Sequence, residues 1–144
     1  MGIDHIITSP LTRAMQTTCI AFAGRKDVPD IKAMPICTER GAHCQESMGR
    51  SVLQLQADPK LSRLPHFATI DWKDPTLHGE WWSVGDDDGR YIRFLEYVKE
   101  LPYNRVAVVC HWGFIRTLMS TCGNEDVSLD NCQWLRTEWD SRDA

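Results

Sequence analysis

The sequence lacks three features that would assign it to particular classes of protein. It has six cysteines but no close pair such as Cys-x-x-Cys, so it indicates neither a small disulfide-bonded secreted domain nor a typical zinc motif. No apolar run approaches the roughly 20 residues that a membrane-spanning helix needs. There is no run of lysine or arginine and the formal net charge is -4. We therefore expect neither a membrane partner nor a nucleic-acid partner.

The remaining features are typical of one globular domain. The 144 residues are enough for a hydrophobic core, and the hydrophobic content of 42% is close to the average for globular proteins. The N-terminal residues MGIDHIITSP lack the basic and long apolar parts of a signal peptide, so we expect a cytoplasmic protein with reduced, mostly buried thiols. Cys37, His43 and Cys44 lie near one another but form only a weak metal motif, and we expect no metal or other cofactor.

Strands and helices alternate along the chain. A β-branched strand at residues 3–8 leads to Ser9, which is suited to cap a helix that ends near Gly24. The apolar residues 105–110 are typical of a strand buried on both faces, and another helix follows at His111. Further strands are predicted at residues 31–36 and 131–137. This alternation predicts an α/β protein with a largely parallel central sheet.

The middle of the chain is predicted to be less regular. Residues 37–50 are predicted as a loop, with a short helix near residues 47–57. Residues 58–82 are long for an irregular connection, a length that is typical of covers and binding loops. Their tryptophans, Trp72, Trp81 and Trp82, either form a lid or pack the segment internally. The acidic residues 86–88 are predicted as the solvated start of a helix.

Two turns that follow strands carry residues able to bind an anion. Arg13 lies in the first turn of the helix after residues 3–8, where free backbone N–H groups and the helix dipole already favour negative charge. His111 follows the strand at residues 105–110 and begins the next helix, where it can act as a general acid or base or as a phosphate ligand. In a parallel sheet both turns lie at the carboxyl edge, which is where ligands bind.

Glu39, in the motif CTERG, follows the second predicted strand and so reaches the same edge. In a partly closed pocket a carboxyl group can have its pKa raised and donate a proton to a leaving group. Taken alone, a glutamate in a loop is more often simply solvated. Arg90 and Arg116 could widen a cationic pocket, but we expect both on helix surfaces.

These motifs resemble those of a known family. SPLTRAMQTT, at residues 9–18, is similar to the signature Ser-Pro-Leu-x-Arg-Ala-x-Gln-Thr of the histidine phosphatase superfamily, the phosphoglycerate-mutase-like proteins. All seven specified positions are present. VVCHWGFIRTL resembles that family's second histidine turn, and Glu39 lies between the two motifs, where the family has its acidic residue. The resemblance covers essentially the whole chain.

The resemblance implies a fold and a reaction. It implies a central sheet with helices on both faces, no metal, and a phosphomonoester or phosphate as the small-molecule partner. The family transfers a phosphoryl group from a phosphomonoester to a histidine and then to water or back to substrate. By resemblance, Arg13 and His111 bind the phosphoryl group, His111 also stabilises its charge in the transition state, and Glu39 protonates the leaving oxygen.

The sequence departs from the family's pattern at one place. The family's nucleophilic histidine lies in an Arg-His-Gly motif upstream of the first signature, and no Arg-His-Gly occurs here. His5 is a poor replacement, because it lies four residues before Ser9, roughly 13 Å down the strand at about 3.3 Å per residue. The other candidates, His43, His66 and His78, are predicted in loops.

We therefore interpret residues 1–144 as a single, partial domain that is N-terminally incomplete. Three explanations compete: a truncated gene model, a natural pseudoenzyme, or a chain completed by a partner, and we favour the first. Loss of a strand would leave unpaired backbone groups along the parallel sheet, so we also expect self-association through them.

Two alternative functions remain open. Residues 110–117 match Cys-x-x-Gly-x-x-Arg-Thr, the phosphate loop of cysteine-dependent phosphatases, in which Cys110 would attack phosphorus. In that alternative Asp71 or Asp74 would be the acid, but SPLTRAMQTT would have no role. The second alternative is a catalytically dead phospho-ligand binding or scaffold module, which keeps Arg13 and His111 as an anion site without turnover.

Overall fold

The computed structural model describes residues 2–139, which form a parallel sheet with helices on both faces. Its four strands stand in the order β3-β2-β1-β4. The strands are β1 (His5–Thr8), β2 (Ile31–Ala33), β3 (Ile70–Asp71) and β4 (Val106–Val109). The helices are α1 (Thr12–Ala21), α2 (Val52–Ala57), α3 (Pro59–Ser62), α4 (Arg90–Glu100) and α5 (Trp112–Thr121). The predicted α/β fold is confirmed.

β1 is the centre of the sheet and divides the core into two clusters. It pairs with β2 on one side and β4 on the other, and all four of its residues are buried. Ile6 packs in a cluster with α1, α2 and α3, whereas Ile7 packs on the opposite face with α4 and α5. Successive strand residues point to opposite faces, so these two adjacent residues contribute one apolar side chain to each cluster.

β4 differs from its prediction. Its residues were expected to be buried on both faces, but each of the four is only half-buried. Side chains of β4 do contact both clusters, Ala107 on the α1 side and Val106 and Val108 on the other. The exposure arises because β4 is an edge strand: among residues 2–139 no strand pairs with its outer side.

Two strand predictions are wrong: one strand is shorter than expected and one does not form. β2 ends at Ala33 rather than at residue 36, because Pro35 has no N–H for the ladder and instead begins a short 3-10 turn, Pro35–Cys37. Residues 131–137 form no strand and are exposed, with Trp134 at 82%. They pair with none of the four described strands.

The middle of the chain is more ordered than predicted. The expected helix at 47–57 is a 3-10 turn, Gln45–Ser47, followed by α2, which begins with a capping box between Ser51 and Gln54. Within residues 58–82 the chain forms α3, the 3-10 turn Phe67–Thr69 and β3. Trp81 is buried in the α1-side cluster and its indole N–H donates to the Arg50 carbonyl. The tryptophans therefore pack the segment rather than form a lid.

The acidic residues 86–88 precede the helix instead of opening it. Trp81–Asp86 is a 3-10 turn, and α4 starts at Arg90. Asp86 accepts from the Ala42 N–H, and Asp87 accepts from the Gly89 N–H and pairs with Arg93. No helix in the described part of the chain is long and apolar enough to cross a bilayer.

Candidate active site at the carboxyl edge of the sheet

The β1–α1 and β4–α5 turns lie side by side. Thr8 and Val109, the last residues of the two strands, are paired in register, and the Ser9 N–H continues the ladder to the Val109 carbonyl at 2.9 Å. Ser9 is not the cap of α1, as its sequence position predicts, because Leu11 occupies that position. Instead, the Ser9 hydroxyl lies 2.8 Å from His111 Nε2 and accepts from the Leu11 N–H. A buried hydrogen bond thus joins the two turns.

His111 is neutral at physiological pH. It is only 6% exposed, and its extended backbone places it just before the first residue of α5. Burial, and after it the positive charges of Arg13 and Arg90, together lower its pKa to about 3. A neutral imidazole carries one N–H, and Ser9 engages Nε2, so Nδ1 is the ring nitrogen left for a ligand.

Arg13 lies at the same edge as His111. It is the second residue of α1, it is exposed, and its guanidinium donates to the backbone carbonyl of Glu46. The positive charge of Arg13 contributes to the lowered pKa of His111. A cavity of about 320 Å³ adjoins Arg13 and is also lined by Gln16, Glu46 and Arg50, but not by His111. Arg50 forms a salt bridge with Asp58 there, with 2.8 Å between Nη2 and Oδ2.

Glu39 is held between two glycines. It is half-buried, and its Oε1 accepts from the N–H of Arg40 at 2.8 Å. A Cβ on Gly113, in the first turn of α5, would overlap Glu39 Oε1, and a Cβ on Gly85 would overlap the Glu39 carbonyl oxygen. The carboxylate therefore lies against the start of the helix that follows His111, and any side chain at Gly113 would displace it.

Arg90 is not on a helix surface, as its position in the sequence predicts, but fully buried. Its Nη1 donates to the carbonyls of Ile36 and Thr38, at 2.9 and 2.6 Å. Its guanidinium also lies over the rings of Tyr91 and Phe114, 4.9 and 5.1 Å from their centroids. The prediction is wrong because the 3-10 turn after β2 presents carbonyls to the first turn of α4, which the local sequence of α4 does not reveal.

Cys110 is poorly suited to be a nucleophile. Burial is the main cause that raises the pKa of its thiol to about 12, and the negative charge of Glu39 contributes to that rise. The stretch that would form a phosphate loop is instead helical from Trp112 onward. Both features argue against the cysteine-dependent alternative. Four of the six thiols are buried or half-buried, while Cys122 and Cys132 are exposed, contrary in part to expectation.

His5 lies at the opposite end of β1 from this site. It is buried and stacks on Tyr103, with ring centroids 4.8 Å apart. Among residues 2–139, no group of three or more His, Cys, Asp or Glu side chains is placed to hold a metal ion. The carboxyl edge therefore combines a guanidinium, a neutral imidazole and a carboxylate.

Sequence reasoning missed three features of this site: the Ser9–His111 bond and the two glycines beside Glu39. Gly113 carries a weak signal, because a glycine in the first turn of a helix lowers helix propensity and so suggests a close approach. Gly85 carries none, since its role depends on how the Trp81–Asp86 turn packs against Glu39.

Comparisons with known proteins agree with the motifs. The histidine phosphatase superfamily (branch 1) matches the chain over residues 1–143. An Arabidopsis thaliana protein called "Phosphoglycerate mutase-like protein" is 23% identical in an alignment of 172 positions, gaps included, which covers 91% of this chain and 61% of that protein. The chain thus spans about three fifths of the length of this curated relative. No solved structure matches significantly. Because the family match extends over nearly the whole sequence, the chain belongs to the histidine phosphatase superfamily.

Proposed function

We propose that this chain is a phosphoryl-transfer domain that binds a phosphomonoester at the carboxyl edge of β1 and β4. The observation that carries the proposal is the 2.8 Å contact between Ser9 and His111, which joins the two signature turns beside Arg13. Membership of the family supports phosphoryl transfer as the reaction class.

Arg13 and His111 hold the phosphoryl group in this proposal. The guanidinium offers a fork of N–H donors to two phosphoryl oxygens, and the free N–H groups at the start of α1 add to the same positive region. Neutral His111 donates through Nδ1 when Ser9 donates to Nε2. A bound anion favours the imidazolium, so phosphate should raise the pKa of His111 from its low value.

Glu39 is the proposed general acid. Its carboxyl lies against Gly113, two residues after His111. In this proposal it protonates the leaving oxygen of an ester whose phosphoryl group is bound by Arg13 and His111. Transfer in line with the leaving oxygen then depends on positioning and charge stabilisation rather than on a metal-derived nucleophile.

The nucleophile lies outside this site. No Arg-His-Gly occurs among the 144 residues, so the sequence provides binding groups and an acid but not the family's nucleophilic histidine. We propose that turnover requires that histidine from a longer form of the protein or from a partner chain. The same observation favours a second candidate, a phospho-ligand binding or scaffold module that binds without turnover.

The proposal is tested by measuring binding and turnover separately. Inorganic phosphate should raise the melting temperature of the chain, and Arg13→Ala and His111→Ala should abolish most of that increase. Arg116→Ala is the matched control, because it removes an exposed arginine from α5 and leaves the β1–α1 turn intact. Absence of any phosphate effect on the unmodified chain would contradict the proposed site.

Turnover is measured with an aryl phosphate. Binding without hydrolysis favours the module, whereas hydrolysis that His111→Ala abolishes supports the transferase assignment. Cys110→Ser should leave any hydrolysis intact, since the Cys110 thiol stays protonated. Loss of activity in Cys110→Ser alone would favour the cysteine mechanism.

We also propose a cellular location and binding partners. All six cysteines are unpaired, which supports a reducing, cytoplasmic location. A phosphomonoester is the proposed small-molecule partner. Within residues 2–139 no strand pairs with the outer side of β4, which supports self-association, because an open strand edge is a template for pairing with another chain.

A further inference from the structure

Arg90 is a buried cation whose presence needs a physical reason. It is fully buried, and among residues 2–139 it forms no ion pair with a carboxylate. Its Nε also has no hydrogen-bond partner. Burying a charge without a counter-charge is costly, and apolar residues of similar volume are often tolerated at such positions. Core packing alone therefore does not account for an arginine here.

Two of the three hydrogen bonds of Arg90 go to one turn. Its Nη1 alone accounts for two hydrogen bonds, to the carbonyls of Ile36 and Thr38, and its Nη2 donates to the Tyr91 hydroxyl at 3.2 Å. The two carbonyls belong to the turn that follows β2, and Thr38 directly precedes Glu39. Arg90, the first residue of α4, thus holds the backbone immediately before Glu39.

We propose that Arg90 is a positioning residue for Glu39. It holds the carbonyl of Thr38 so that the next residue fits between Gly85 and Gly113, with its carboxylate against the start of α5. The chemical role of Glu39 as an acid rests on the proposed function, but its placement by Arg90 does not.

The guanidinium suits this task better than an ammonium group. It is planar, so it can lie over the rings of Tyr91 and Phe114 while its edge reaches the carbonyls. Phe114 follows Gly113 in α5, so the same group contacts both the turn that carries Glu39 and the helix against which Glu39 lies. Lysine keeps the charge but not this geometry, and Arg90→Lys is therefore the informative variant.

The first test follows the backbone amides beside Glu39 by NMR. Arg40 donates its N–H to Glu39 Oε1, and Gly113 is in contact range of that oxygen, so both signals report where the carboxylate is. In Arg90→Lys and Arg90→Met, both signals should move toward their positions in Glu39→Ala. Arg40 and Gly113 signals that stay at their wild-type positions in Arg90→Lys would overturn the proposal.

Two controls separate positioning from general destabilisation. Tyr91→Phe removes the hydroxyl partner of Arg90 but leaves the carbonyl contacts, and Leu61→Ala creates a cavity in the other cluster. Both should lower the melting temperature without moving the Arg40 and Gly113 signals. If these signals move equally in Leu61→Ala, Arg90 has a structural role only.

A measurement on the unmodified chain covers the case in which the Arg90 variants fail to fold. The Nη protons of Arg90 should be resolved and exchange slowly, unlike those of exposed Arg116. Rapidly averaged Nη signals for Arg90 would show that the carbonyl contacts do not persist and would overturn the proposal.

Where hydrolysis is detected, the leaving group gives a further readout. Loss of a correctly placed acid should reduce turnover of phenyl phosphate by about a hundredfold in Arg90→Lys, but that of 2,4-dinitrophenyl phosphate by less than about threefold. Equal losses on both esters would count against positioning of the acid. If the NMR signals move but the unmodified chain binds no phosphate, the proposed function fails and the placement of Glu39 by Arg90 stands.

Discussion

β1 and β4 are neighbouring strands of equal length in different surroundings. Both have four residues and contain β-branched apolar side chains, both lead through a tight turn into a ten-residue helix, and a polar residue follows each strand at the same edge. Yet β1 is buried along its whole length, while β4 is half-buried throughout. The difference is the number of paired strands, which in the described part of the chain is two for β1 and one for β4. Burial in a sheet therefore depends on strand order as much as on apolar composition.

The largest effect should come from truncating one apolar side chain to alanine in each strand. Ile6→Ala should lower the free energy of unfolding by about 4 kcal/mol, because a fully buried side chain leaves a cavity that the core cannot fill. Val108→Ala should cost only about 1 kcal/mol, since Val108 is half-buried at the edge. Urea unfolding of both variants measures the difference. Equal losses would show that β4 is as enclosed as β1.

The next effect is a pH dependence that comes from the end of β4. The pKa of His111 is about 3 in the folded chain and near 6.5 when unfolded, so between these values the unfolded state binds more protons. Stability should therefore fall as the pH drops below 6.5, by about 3 kcal/mol between pH 7 and pH 4 from this residue. His5, at the start of β1, has its pKa lowered by burial and acts in the same direction.

Urea unfolding across this pH range, with His111→Gln and a separate His5→Gln variant, separates the two contributions. His111→Gln should flatten the slope more than His5→Gln. Asp58 and Asp87 affect stability at lower pH. Hydrogen bonds from Arg50 and Arg93 lower their pKa values, so their contribution to the free energy of unfolding is lost only below about pH 4. An unchanged slope in His111→Gln would contradict a buried neutral histidine.

A smaller effect is expected from the hydroxyl that joins the ends of the two strands. Ser9→Ala leaves the buried His111 nitrogen without a partner and should lower the free energy of unfolding by about 1–2 kcal/mol. It should also weaken phosphate binding, because His111 loses its fixed tautomer. Thr17→Ala is the control, since its hydroxyl bonds only within α1 and is exposed. Thermal melting with and without phosphate measures both effects.

The smallest effect concerns the open side of β4. The carbonyls of Arg105 and Val109 accept hydrogen bonds from the β1 side. Because the backbone groups of successive strand residues face opposite neighbours, the N–H and carbonyl of Val106 face away from β1. Val106→Pro removes one outward N–H at the first position of the strand, where proline is tolerated. Sedimentation should show weaker self-association, with a stability change of less than about 1 kcal/mol. A concentration-independent monomer in the unmodified chain would contradict self-association.

Much of the fold follows from local sequence. The strands β1 and β4 and the helices α1, α4 and α5 were predicted because each has an apolar pattern of the right period and a turn residue near its end. The prediction was wrong at residues 131–137, where a suitable composition has no neighbouring strand. A strand needs a partner, and local pattern does not reveal partners.

For the candidate site, the sequence predicted which residues approach the edge but not how they are held. Arg13, Glu39 and His111 follow three strands, and the parallel sheet places those strand ends together. The Ser9–His111 bond, the two glycines beside Glu39 and the burial of Arg90 depend on packing between distant segments. Their roles therefore could not be predicted from periodicity.

Because some cysteines are buried and others exposed, thiol reagents should modify this chain at a few positions only. Cys37 and Cys110 have their thiol pKa values raised by burial, so they should react slowly with alkylating reagents at neutral pH. Cys122 and Cys132 are exposed and follow α5. A fluorophore or spin label would therefore attach there first, which gives probes C-terminal to the His111 helix in a protein with its natural sequence.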